Sequence, residues 1–141
     1  MRAALAFTVF ALGLAACSGK TSPEAELRAA CEIVAADPEG QQAITDMNAT
    51  PESFCTCLNA HVLAMADDDQ TKVRAALIYI ADQATQTGQE VEDIAVSIIR
   101  EGMAFPDGEG VQTIIEGVPL VGQAFDDVED KFDQGTCTRA A

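Results

Sequence analysis

The sequence predicts an all-α protein: a compact bundle of about six short helices, stapled by two disulfides and preceded by a cleaved signal peptide. Three observations predict it. A cap residue, proline and glutamate occur together three times, as Ser22-Pro23-Glu24, Asp37-Pro38-Glu39 and Thr50-Pro51-Glu52, which is a helix-start signature with acidic residues in the first turn. Apolar residues recur at three- and four-residue spacing, and alternating strand patterns are nearly absent. The chain has no Trp and one Tyr, Tyr79, and two of its six Phe lie in the leader. A thinly aromatic, Ala-rich core favours close-packed helices.

Taken in order, the first helix starts at Pro23 and runs through Leu27, Ala30, Cys31 and Val34 to about Ala36. The second starts at Pro38 and carries Ala43, Ile44 and Met47. The third starts at Pro51 and places Phe54, Leu58, His61, Val62 and Met65 near one face. Asp67-Asp68-Asp69 is expected to end it and cap the next, with Asp69 well placed as the cap. The fourth carries Val73, Leu77, Ile80 and Ala84, with Gly88 past its end. The fifth carries Val91, Ile94, Ala95 and Ile98, with Gly102 as its stop. Phe105-Pro106-Asp107-Gly108 reads as a turn. A sixth helix holds Val111, Ile114 and Ile115 before Gly117 and Pro119 interrupt it. The last runs through Phe125, Val128 and Phe132, and the tail from Gly135 is loose unless Cys137 pins it. Gly117-Val118-Pro119-Leu120-Val121-Gly122 is expected as the packed kink of the last helix pair, with an exposed recognition loop as the alternative.

Residues 3–16 form a 14-residue apolar run behind Arg2. A membrane-spanning helix needs about 20 such residues, so the run suits the core of a signal peptide. It ends in Leu14-Ala15-Ala16-Cys17, which resembles the lipobox of bacterial lipoproteins. The resemblance covers about the first 18 residues. It implies cleavage after Ala16, acylation of Cys17 (a palmitate-type lipid anchor) and attachment to a cell-envelope membrane. Residues 17–22 would be the lipidated cysteine and a short tether, and residues 23–141 the folded domain. Ser18 in place of Asp is compatible with sorting to the outer membrane, facing the periplasm.

All 23 acidic residues lie beyond the leader, while Arg2, one of eight basic residues, leaves with it, so the mature chain is more negative than the formal −15. This excludes a nucleic-acid partner, which requires a basic footprint. It fits a protein partner with a basic surface. A bare anionic lipid surface repels such a domain, so the membrane is expected to hold it through the lipid alone.

Four cysteines follow Cys17: Cys31, Cys55, Cys57 and Cys137. An even count in an exported chain argues for disulfides. Cys55 and Cys57 are two apart on a helix, so their side chains point about 200° apart. They cannot pair with each other. One bridge should tie the third helix to Cys31 and the other should tie it to Cys137; which goes where stays open. A thiol-redox role for Cys55-x-Cys57 is the sharper alternative, but no Cys-x-x-Cys or thioredoxin-like context supports it.

Cys57, His61 and Met65 are spaced four apart and would stack on one helical face. Thiolate, imidazole and thioether suit copper, and Met47 and Met103 could add thioethers. Core packing and a disulfide explain the same residues, so no cofactor is expected. Asp67-Asp68-Asp69 and Asp107-Gly108-Glu109 lack the register of a calcium loop. No nucleophile elbow, zinc-protease motif or phosphate loop is present, and His61 is the only histidine. The sequence therefore points to a non-catalytic interaction, inhibitor or structural module rather than an enzyme, with metal handling and redox chemistry as alternatives.

Overall fold

The computed structural model describes residues 21–104 and 109–137. They form six helices: α1 (Pro23–Ala35), α2 (Pro38–Asp46), α3 (Pro51–Leu63), α4 (Asp67–Thr87), α5 (Val91–Ala104) and α6 (Glu109–Asp133). No strand occurs among the described residues. The leader, Cys17, the Phe105–Gly108 turn and the last four residues lie outside the described residues. No described helix is long and apolar enough to cross a membrane.

The three proline starts hold. Ser22 Oγ accepts the Ala25 N–H at 3.2 Å. Thr50 and Ser53 form a reciprocal capping box, which satisfies two donors that the helix itself cannot pair. Asp37 does more than cap its own helix. One carboxylate oxygen accepts from the Glu39 N–H at 3.3 Å, and the other accepts from the Val91 N–H at the start of α5. One residue thus serves two helix N-termini, where negative charge is favoured.

The core lies around α4, which packs chiefly against α6 and α1, with α3 seated on α1 and α6. Buried residues on α1 are Leu27, Ala30, Cys31, Val34 and Ala35, and on α4 Val73, Ala76, Leu77, Ile80 and Ala81. Both sets repeat at i, i+3, i+4, i+7 and i+8, the stripe of an amphipathic helix. Facing them, α6 buries Val121, Ala124, Val128 and Phe132, of which Phe132 is the largest wholly enclosed side chain.

Four expectations need correction. Asp69 is not a cap: α4 starts at Asp67 behind Ala66, and the three aspartates occupy the first turn, where they face the positive helix end. They do not end α3 either, because α3 stops at Leu63 with Ala64 as its cap. Gly102 is not a stop, since α5 continues to Ala104 and Gly102 is buried where a Cβ would overlap the Ile115 side chain. Gly117 and Pro119 do not interrupt α6, which runs unbroken through both. Gly117 is buried against the Lys72 carbonyl of α4, whereas Pro119 is exposed. Glycine is there because the two helix backbones meet, so the 117–122 segment is neither a loop nor a break.

Ion pairs frame the same crossing. Lys72 Nζ lies 2.7 Å from Asp68 and 2.9 Å from Glu116, joining α4 to α6. These hydrogen bonds, led by the one to Asp68, raise the Lys72 pKa. Glu116 is held below its usual value by Gln112 and then Lys72.

Candidate interaction groove

The structure resolves the disulfide pairing. Cys31 joins Cys55 across α1 and α3, with Cα atoms 5.7 Å apart, and Cys57 joins Cys137, with Cα atoms 6.0 Å apart. The helix explains the division. Cys55 shares the buried face with Phe54 and Leu58, while Cys57 turns toward the tail that carries Cys137. Cys31 and Cys55 are enclosed (1% and 0% exposed). Cys57 and Cys137 border an open hollow of about 390 Å³ edged by Thr50, Ser53, Thr56 and Thr136. The tail is further held by the Lys131 carbonyl, which accepts from the Thr136 and Cys137 N–H groups.

Cys57, His61 and Met65 do not form the stack read from their spacing. Cys57 is bonded to Cys137 and offers no thiolate in this state, and Met65 lies beyond the end of α3. His61 faces α6 instead. Its Nδ1 is 2.7 Å from Lys131 Nζ, and an ammonium only donates, so Nδ1 accepts and the imidazole is neutral with its proton on Nε2. That Nε2 is 3.2 Å from Asp127 Oδ2, a contact that is not a well-aligned hydrogen bond and that becomes an ion pair only when the ring takes up a second proton. Among the described residues no three His, Cys, Asp or Glu side chains gather as a metal site.

Burial and then the Lys131 charge lower the His61 pKa, against the opposing pull of Asp127. A lowered folded-state value means that the unfolded chain binds the proton more tightly. The stability His61 contributes is therefore complete above the unfolded value near 6.5 and is lost as pH falls through the folded value. Glu39 acts with the opposite sign at more acid pH, because its pKa is raised. A comparison with His61→Gln isolates the histidine. In urea titrations at about pH 7.5 and about pH 5.5, the native protein should lose more stability on acidification than His61→Gln. Equal losses would show that His61 does not titrate with folding.

An apolar recess lies where α2 and α5 flank α6. A hollow of about 400 Å³ is floored by Val34, Ile80, Val118, Val121 and Phe125. A second, of about 220 Å³, adjoins it past Phe125 and is lined by Ile44, Met47 and Phe54. The two share Val34, Gly40, Ala43 and Phe125. Phe125 stands edge-on to Phe54 with ring centres 5.3 Å apart, an arrangement favoured by the aromatic quadrupole. Asp37, Glu39 and Glu92 edge the first hollow, and Asp126 and Glu129 edge the second. Neither is lined by a basic residue. Glu92 faces Glu39, and this like charge is the main reason the Glu39 carboxyl is held above its usual value.

The sequence carries each of these residues, but not the groove. Glu39 and Glu92 each sit in a helix first turn, where acidic residues are common. Only the docking of α2 beside α5, fixed in part by Asp37, brings them together. A fourth hollow, of about 370 Å³, lies between α4, α5 and α6 beside the exposed Tyr79 and Val111. Its lining mixes apolar groups with Gln83, Gln89 and Glu101.

Compared with protein-family models, curated proteins and solved structures, the chain shows no match.

Proposed function

We propose that the protein is a non-catalytic lipoprotein of the bacterial cell envelope. It is held to the membrane through lipid on Cys17, faces the periplasm and serves as an interaction or inhibitor module for a protein with a basic surface. The observation that carries the reading is the imbalance of surface charge. Against 23 acidic residues, Arg28 is engaged by Glu32 and Glu52, Lys72 by Asp68 and Glu116, Arg74 by Glu26, and Lys131 by His61. Among the described residues most carboxylates are left without a cation. An uncompensated field of one sign speeds the approach of an oppositely charged partner and selects against like-charged ones. Two staples hold the small scaffold rigid, which lowers the entropy lost on binding.

The lipobox supplies the anchor. One acyl chain holds a protein only marginally, and two or more hold it stably. Cys17→Ala should abolish incorporation of labelled palmitate and move the protein from the membrane to the soluble fraction. Retention of label would refute lipidation at Cys17. For the partner, photo-crosslinking residues placed in turn around the surface should trap a defined basic protein in intact cells. That adduct should fade with added salt, as an electrostatically steered complex does. Adducts from no position, or only with acidic proteins, would overturn the reading.

A further inference from the structure

We infer that the groove between α2, α5 and α6 is a docking site for a cationic amphipathic helix of a partner protein. The inference rests on the reading of an interaction module and names the surface and the chemistry of what it takes.

Charge complementarity selects the occupant. The floor is apolar, and carboxylates stand on both sides: Asp37, Glu39 and Glu92 at one end, Asp126 and Glu129 at the other. A neutral or acidic segment would cover the floor but leave these charges crowded. A basic helix buries its aliphatic side chains on the floor and sets lysine or arginine at the rims. Two adjoining hollows that share Val34, Gly40, Ala43 and Phe125 suit two apolar anchors on one face of a helix, as in helix-in-groove recognition. The crowding of Glu39 by Glu92 is what a cation at that rim would relieve.

Gly122 is the second observation. It lies inside α6, borders the first hollow and is exposed, and a Cβ placed on it would meet nothing within 4 Å. Glycine weakens a helix interior, and here no neighbour requires it. What it does is keep the hollow open. Ala43, on the opposite wall, is likewise small and exposed. Anionic lipid is a poor occupant, because the rim would repel its headgroups.

The test uses the full-length lipoprotein in phosphatidylcholine nanodiscs, with empty discs as the blank. The probe is a labelled Leu/Lys amphipathic helix of about 16 residues, followed by fluorescence anisotropy. A scrambled peptide of the same composition and a Leu/Glu helix are the controls. The Leu/Lys helix should bind about tenfold tighter than its scramble, and the Leu/Glu helix should not bind. Gly122→Phe and, from the other wall, Ala43→Leu should each weaken binding about tenfold. Helical circular dichroism should be unchanged in both. Glu39→Gln/Glu92→Gln should weaken binding, whereas Asp67→Asn/Asp69→Asn, which removes as much charge at the far end of α4, should not. Binding indifferent to both groove-filling variants, or weakened equally by the α4 pair, would overturn the inference. A basic partner crosslinked from a surface away from the groove would overturn it too, while leaving the interaction reading intact.

Discussion

Cys31→Ala/Cys55→Ala should cost about 4 kcal/mol of unfolding free energy, and Cys57→Ala/Cys137→Ala about 2 kcal/mol. Two arguments compete. Chain entropy ranks the outer bridge higher, because it spans 80 residues against 24 for the inner one. Burial ranks the inner bridge higher. Cys31 and Cys55 are enclosed between α1 and α3, so truncating both leaves a void whose lining loses its packing partners. The outer bridge opens on a surface hollow, where water and the tail fill what is lost. Measured stabilisation follows loop length only weakly, so burial should decide. Urea titrations of the two double variants give the order directly. If the outer pair costs more, unfolded-state entropy governs this protein and the enclosure of Cys31 and Cys55 is secondary.

What was legible in the sequence follows from how local each cause is. Helix starts are local: Pro23, Pro38 and Pro51 open α1, α2 and α3 at the positions their caps predict. The separation of Cys55 from Cys57 is also local, since residues two apart on a helix point about 200° from each other. Which bridge each makes is not local, because it depends on which side of α3 meets α1. The misread glycines have the same origin. In isolation, Gly102 and Gly117 weaken a helix; in the fold, each admits a group from a neighbouring helix that the sequence places beside nothing in particular. Met65 is outside the alternative metal face because α3 ends before it. The groove required three helices to dock, so its rim and floor were present as residues but not as a site.

Three glycines inside helices make that distinction measurable, since alanine at each tests a different surrounding. At Gly117 the added Cβ would overlap the Lys72 carbonyl oxygen, lie 2.7 Å from its carbon and lie 2.8 Å from the Ala76 Cβ. The first two atoms are backbone and cannot rotate away. The α4–α6 crossing must open, and that is the most extensive helix contact in the fold. Gly117→Ala should therefore cost about 3 kcal/mol despite alanine's better helix propensity. At Gly102 the obstruction is Cδ1 and Cγ1 of Ile115, a side chain rather than backbone but one that clears the space only by leaving its preferred χ1, so the cost should be about 1–2 kcal/mol. At Gly122 nothing is in the way, and Gly122→Ala should gain up to about 1 kcal/mol. Unfolding midpoints should rank Gly122→Ala first, then the native chain, Gly102→Ala and Gly117→Ala. A Gly117→Ala protein as stable as the native one would mean that α4 and α6 do not meet at this backbone crossing. The glycine at 117 would then lose its packing explanation.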